Sequence, residues 1–434
     1  MSFRNFCGSF PCIAQNSPAL RLALVTMVVV ATGLAGCQKK VEPLPMTKLE
    51  KNYDRPLPPG EFALRKLTDE SQYPNFGEGW YKAKGVTLRE AVAESISYLT
   101  TPSSRKYFPM GPITHETAVA TLPLFLEVLD QASSPEELNA LIKQYFDVYI
   151  SIGCDDEGTV LFTGYYSPIF DGSMERTDHF QYPLYKIPPE IQKDEEGNVV
   201  GGPWRSREEI EQQHLLDGQE LVYLGDRFET YVVTVQGSGF LRMPDGNLYE
   251  VGYAGNNGHE YTPIGKMLVA DGKIERHRLS LATMIKHFEQ YPDEMDQYLY
   301  QNERFIFFRE SSGGPYGCLG RRVTPFHSIA TDKEIFPRAC MAFLDTRIPD
   351  ETGDNSRAFR NFALDQDRGA AIRAPGRCDI YMGVGDRAGQ MAGFTYNEGK
   401  LYYIFAKEGV TTTGQLAGDM ESEGQMDEGM GQQR

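Results

Sequence analysis

Basic residues are in short supply. The 434-residue chain has 43 Lys and Arg against 60 Asp and Glu, a formal charge of -17, so it offers no broad basic surface to a phosphate backbone and nucleic acid is excluded as a partner. Membrane-spanning runs are missing as well. The apolar stretch Leu22 to Leu34 has thirteen residues, well short of the ~20 that cross a bilayer. It follows Arg4 and Arg21 and leads straight into Ala35, Gly36 and Cys37, the pattern of a secretory signal ending in a lipobox, LAGC. The mature chain is therefore expected to start at a lipidated Cys37 and to carry -19, since residues 1-36 hold two arginines and no acids. Gln38 in place of an aspartate after that cysteine implies an outer-membrane lipoprotein with its body facing the periplasm.

Cysteine is sparse and unpatterned. Beyond the leader and Cys37 only Cys154, Cys318, Cys340 and Cys378 remain. In an oxidising compartment they allow three pairings, of which Cys318 with Cys340 is preferred, and no C-x-x-C or H-E-x-x-H spacing points to metal. No cofactor is implied.

Residues 37-60 read as a proline-rich tether, with Pro43, Pro45, Pro56, Pro58 and Pro59 favouring extended backbone. Helices follow. Thr87 with Glu90 reads as a capping box, and Ser134, Pro135 and Glu137 open a helix to about Tyr149. After Gly153 the pattern turns to strands, at Thr159 to Pro168, at Tyr231 to Gly239 and in the glycine-broken stretch Val251 to Leu268. Helices interrupt it at Ser206 with Glu209 and at Ser280 to about His287. Lys193 to Gly202 reads as an exposed hairpin or loop. Residues 409-434 are Gly, Met, Gln and acid, with five acids against Arg434; they cannot build a core and are expected to be a disordered acidic tail.

The most informative segment is DRGAAIRAPGRCDIYMGVGDRAGQMAG, Asp367 to Gly393. It sets Asp367, Asp379 and Asp386 in a glycine-rich, non-helical setting where tight turns can gather carboxylates, and a carboxylate cluster on irregular backbone suggests acid/base chemistry. With FTGYYSP (Phe162 to Pro168), QYPLY (Gln181 to Tyr185), QGSG (Gln236 to Gly239), GYAGNNGHEYTPIGKML (Gly252 to Leu268), FFRE (Phe307 to Glu310) and SIATDKEIFP (Ser328 to Pro337), this segment resembles the membrane-bound lytic murein transglycosylase A family over about Val160 to Lys407.

That resemblance implies a lyase, classed with the exo-acting peptidoglycan transglycosylases. Such enzymes cleave the β-1,4 bond between N-acetylmuramic acid and N-acetylglucosamine to leave 1,6-anhydromuramoyl ends. It implies a mainly β fold with accessory helices: a double-psi β-barrel domain at 61-168 and 312-408, a second, barrel-like β domain inserted at 169-311, and a groove between them. The implied partners are peptidoglycan glycan strands, the membrane through the lipid on Cys37, and the cell-wall synthesis machinery.

The family's catalytic acid falls on Asp379 in DIYMG. A proton donor to a departing sugar must stay protonated near neutral pH, each unit of upward shift costing ~1.4 kcal/mol. Desolvation by Ile380, Tyr381 and the barrel wall, and a neighbouring carboxylate, best supplied by Asp367, are the two sources. Arg368 beside Asp367 argues for an ionised Asp367. Asp386 reads as a helix N-cap with a secondary place in substrate binding, and Asp365 as a turn residue. Thr163, Tyr165, Gln236, Ser238, Tyr253 and Asn257 are candidate glycan contacts, and Lys266 a candidate partner for the peptide carboxylates. His259 and His327 read as hydrogen-bonding residues. Cys378, with no histidine partner, reads as packing or disulfide. Two other classes stay open: an inverting hydrolase on the same barrel, in which Asp367 or Asp386 activates water from ~6.5 to 9.5 Å away, and a glycan-binding lipoprotein without turnover.

Overall fold

The computed structural model describes residues 51-410, except 195-198, 276-278, 280, 351, 354 and 370-371. The signal segment, Cys37, Ser280 and the acidic tail from 411 onward lie outside the described residues.

Three strands precede the insertion point: β1 (Leu64–Lys66), β2 (Phe146–Ser151) and β3 (Val160–Ser167). Six follow: β4 (Ile169–Ser173), β5 (Tyr182–Tyr185), β6 (Glu220–Leu224), β7 (Ser238–Arg242), β8 (Leu248–Asn256) and β9 (Ile306–Ser311). The last five are β10 (Ser328–Ala330), β11 (Met341–Pro349), β12 (Ser356–Asp367), β13 (Arg377–Val384) and β14 (Tyr396–Ala406).

The pairings close a barrel. Going round, β3 pairs with β14, β14 with β11, β11 with β12, β12 with β10, β10 with β13 and β13 with β3. Only β10–β12 and β13–β3 are parallel. This ring of six strands, built from both ends of the chain, is the barrel of the expected fold class. A closed sheet leaves no hydrogen-bonding edge within the ring, and β2, flanked by β1, extends it from the far half of β14. Strands β4 to β9 make a second six-stranded sheet in the order β5-β6-β4-β7-β8-β9. Each sheet has its own apolar cluster, the first around Phe125, Phe162, Phe343, Phe362, Ile380 and Tyr403, the second around Leu224, Phe228, Val233, Leu241, Val251 and Phe308.

Helices cover the barrel where their apolar faces demand it. Val86–Leu99 buries Leu88, Ala91, Val92 and Leu99, and His115–Gln131 buries Leu122, Phe125, Val128 and Leu129, the i, i+3, i+4 spacing of one helix face. The first begins one residue before the proposed Thr87 cap. Its N-cap is Gly85, with no side-chain bond, so Thr87 and Glu90 form no capping box. Ser134 does cap Pro135–Tyr145, accepting from Glu137 N, but the helix stops four residues short of the expected Tyr149, because Phe146, Val148 and Ile150 bury as strand β2.

The largest departure concerns Tyr231 to Gly239, expected as a strand and found as the helix Arg227–Gln236. Asp226 accepts from Glu229 N and starts it, Phe228, Tyr231 and Val232 bury on one side, and Gly237 ends it at φ 76. Capping and burial there outweigh the β-branched run, whose intrinsic cost per residue is only tenths of a kcal/mol. The stretch Val251 to Leu268 is strand only to Asn256, and its last part belongs to the helix Ile264–Ala270. The Ser206–Glu209 capping box forms as expected, the helix expected from Ser280 is described as Leu281–Gln290, and Lys193 bridges Val199 antiparallel around the undescribed 195-198.

Two further expectations change. Cys154, Cys318, Cys340 and Cys378 are all free thiols, so the preferred Cys318–Cys340 bridge is not made. Lys51 to Arg55, expected within the tether, lie against the barrel: Tyr53 donates to Glu398 at 2.6 Å, Arg55 to Asp156 at 2.6 Å, and Arg377 to Asp54 at 2.9 Å. Among the described residues no helix is long and apolar enough to cross a membrane.

Candidate active site

One short strand brings the carboxylates together. Ala330 of β10 is in register with Asp367 of β12 on one side and with Asp379 of β13 on the other, and Asp379 is in register with Thr163 of β3. Residues opposite one another across neighbouring strands stand on the same face, so Asp367, Asp379 and Thr163 form one row.

The register shift between Ile329 and Ala330 decides which aspartate joins it. Ile329 pairs with Asp365, whereas Ala330 pairs with Asp367, leaving Gln366 as the extra residue. Without that bulge Asp365 and Asp367 would share a face; with it they part. Asp365, read from sequence as a turn residue, is instead fully buried in β12, where it accepts from Thr331 and Tyr403 and pairs with Lys333. Gln366 turns to the helix Val86–Leu99 and donates to Ala91 O and Ser95 Oγ.

Asp367 is heavily bonded. It accepts from Tyr165 OH at 2.9 Å and from the backbone N–H groups of Cys318 and Arg368 at 2.8 Å each. The Cys318 loop comes this close because residue 317 is glycine: a Cβ there would stand 2.8 Å from Gln366 O and 3.1 Å from Asp367 Cγ. Burial pushes the Asp367 carboxyl up, while these bonds and the Lys333 ammonium pull the other way. Arg368 acts on it through its backbone N–H; its side chain is exposed.

Asp379 is more lightly bonded. Among the described residues it accepts one hydrogen bond, from Thr163 Oγ1 to Oδ1, and Oδ2 is left over. Its carboxyl lies above the usual carboxylate range, chiefly through loss of solvent; Arg377 and the Thr163 bond oppose the shift, and the charge of Asp367 adds to it. By exposed area Asp379 is nonetheless only half-buried, so it stays within reach of a ligand. Tyr381, two residues on, lies with its ring tilted against that of Tyr165, 5.1 Å between ring centres, and shares a hydrogen bond of 3.1 Å with Ser167. A carboxyl shifted upward that accepts one hydrogen bond among the described residues, beside a carboxyl held by three donors, suits proton donation followed by proton return. Cys378 is buried with its thiol pushed far up, which removes it as a nucleophile.

The other sequence candidates fall into a second group or out of the site. Ser238 opens β7, and Tyr253 of β8, 44% exposed, lies beside Gly237, 3.9 Å from where a Cβ would sit. Gln236, in the stretch expected as a strand, is exposed at the end of its helix and belongs to this group. Asn257 is fully buried: its amide donates to Arg205 O and Glu303 O and accepts from Phe305 N. It fixes loops and presents nothing to a glycan. Lys266 is exposed on Ile264–Ala270. Asp386 is the first residue of the helix Asp386–Phe394, whose N-cap is Gly385, so it caps nothing; its side chain is exposed. His259 and His327 hydrogen-bond Trp204 O and Phe362 O, as expected. Sequence reasoning missed the Cys318 N–H, which carries no residue-type signal, and Lys333, which sits between Asp332 and Glu334 and reads as a surface charge.

Comparison with known proteins covers the same regions. Residues 161–309 match the MltA specific insert domain and residues 327–405 the 3D domain. The chain is 32% identical over 263 residues to membrane-bound lytic murein transglycosylase A of Escherichia coli strain K12, covering 59% of this chain and 69% of that protein. With its Vibrio cholerae counterpart the figures are 33% over 259 residues, 58% and 67%. The fold is similar to a membrane-bound lytic murein transglycosylase from Agrobacterium tumefaciens (TM-score 0.64, 25% identity, 80% of this chain and 98% of that). It is also similar to E. coli MltA with bound chitohexaose (TM-score 0.56, 26% identity, 82% and 97%).

Proposed function

This chain belongs to the membrane-bound lytic murein transglycosylase A family, and on that premise we propose that it cleaves peptidoglycan glycan strands with Asp379 as its single acid and base. The supporting observation is the state of Asp379: a carboxyl held above its usual range, half-exposed, with one hydrogen bond, to Oδ1, among the described residues.

Asp379 protonates the glycosidic oxygen as the bond to the anomeric carbon of N-acetylmuramic acid breaks, and N-acetylglucosamine leaves with that proton as its hydroxyl. The carboxylate so formed is held by Thr163. It then takes the proton of the muramoyl carbon-6 hydroxyl while that oxygen closes onto the anomeric carbon, giving the 1,6-anhydro ring and restoring the acid. No water enters. An inverting hydrolase needs a second carboxylate to activate water; Asp367 spends its oxygens on three donors, which favours the lytic route.

Around this centre we assign the barrel to 61-168 and 312-408 and the insert to 169-311, with the glycan lying between them. Gln236, Ser238 and Tyr253 are its contacts on the insert side, and Lys266 serves the peptide carboxylates. Thr163 and Tyr165 serve the carboxyls themselves. The body hangs from a lipid on Cys37 at the outer membrane, facing the periplasm; the membrane-bound names of the relatives support anchoring in general.

The test is Asp379→Asn. Release of muropeptides from sacculi should fall by roughly 10²-fold or more while chitohexaose binding persists. Turnover within a few-fold of the parent would remove Asp379 from the mechanism.

A further inference from the structure

The row that holds the acid continues past Thr163. Tyr396, the first residue of β14, is in register with Thr163, so Asp367, Asp379, Thr163 and Tyr396 share a face. Tyr396 stands two strand spacings, about 9.6 Å, from Asp379. It is 59% exposed and has no part in the mechanism above.

The row below, Arg377, Leu161 and Glu398, is closed off by the docked N-terminal segment. Lys51 pairs with Glu398 at 3.1 Å, Tyr53 donates to Glu398, and Arg377 donates to Asp54. Gly376 packs on the backbone, where a Cβ would stand 2.8 Å from Tyr53 O. Tyr396 lies close enough to Tyr53 to help push its phenol up, after burial and Glu398. The face beside the acid is therefore covered on one side by this strap and open above Tyr396. Phe394, also half exposed, differs: a Cβ at Gly353 would meet its ring at 2.8 Å, so that ring is occupied in packing.

Resting on the glycan-cleaving reading, we infer that Tyr396 is the floor of a saccharide subsite on the β14 side of Asp379, with the Tyr53 strap as its end wall. An N-acetylhexosamine ring offers an apolar face to an aromatic ring, and a strand crossing the acid along the register row would set its neighbouring sugar over Tyr396. The mature chain's first described residues would then shape the binding surface as well as lead to the anchor.

The experiment is titration of chitohexaose into Asp379→Asn protein with and without further substitutions. Tyr396→Ala should weaken binding about tenfold and Tyr396→Phe by less than about twofold, while Tyr81→Ala, at an exposed tyrosine elsewhere, should leave it unchanged. In the active enzyme Tyr396→Ala should raise KM on sacculi with kcat held. Equal binding by Tyr396→Ala, or a loss with Phe as large as with Ala, overturns the subsite. Failure of Asp379→Asn protein to bind chitohexaose at all would overturn the glycan reading itself, and the subsite with it.

Discussion

Asp367 and Asp379 are register partners of the same residue, Ala330, one across a parallel pairing and one across an antiparallel pairing. Their environments then separate them. Among the described residues Asp367 holds three donors and Asp379 one; burial raises both carboxyls, and three donors oppose that rise at Asp367 where one does at Asp379.

Removing single hydroxyls should move the pH profile of turnover in opposite directions. Thr163→Val deletes a bond that favours the Asp379 carboxylate, so the Asp379 pKa rises and the basic limb moves to higher pH. Tyr165→Phe deletes a bond that favours the Asp367 carboxylate. Asp367 then holds its proton to higher pH, its charge raises Asp379 less, and the basic limb moves to lower pH. Each variant should lose about tenfold in kcat and keep its fold; kcat against pH on sacculi is the check.

Lys333 and Asp365, both essentially without solvent, should be strongly coupled in stability. Lys333→Met leaves a buried carboxylate unpaired and should cost about 3–5 kcal/mol in chemical denaturation. The double variant Lys333→Met with Asp365→Leu should recover most of that loss.

The second sheet carries its own pH dependence. Burial, with Asp226, Asp171 and Glu289 nearby, raises Glu229 to about 7. Between its ordinary value and about 7 the unfolded chain releases a proton that the folded chain keeps, so stability falls as pH rises through that window and is flat above it. Glu229→Gln should therefore raise Tm at about pH 8, by on the order of 1 kcal/mol in stability given partial exposure, and leave it unchanged below the ordinary Glu range.

The motifs were legible, but not the way they meet: tight turns were expected to gather the carboxylates, whereas DIYMG and FTGYY sit on the parallel pair β13–β3, with Asp379 opposite Thr163. The bulge at Gln366 was not, since a register shift is set by pairing with β10 and leaves no mark in DQDRG; that is why Asp365 was read as a turn residue. Arg227–Gln236 was misread because Tyr-Val-Val-Thr-Val has the composition of a strand, while Asp226 and Gly237, its two ends, carry the helix signal. Asn257 sat inside a recognisable motif, yet its role in fixing Arg205, Glu303 and Phe305 depends on partners 46 to 52 residues away.

The central claim is that the attacking oxygen belongs to the substrate. Digestion of sacculi by the soluble protein in heavy-oxygen water, followed by mass spectrometry of the released muropeptides, tests it directly. The account predicts products one water lighter than reducing muropeptides, with no label incorporated. Labelled reducing ends would contradict it and return Asp367 to the position of a water-activating base.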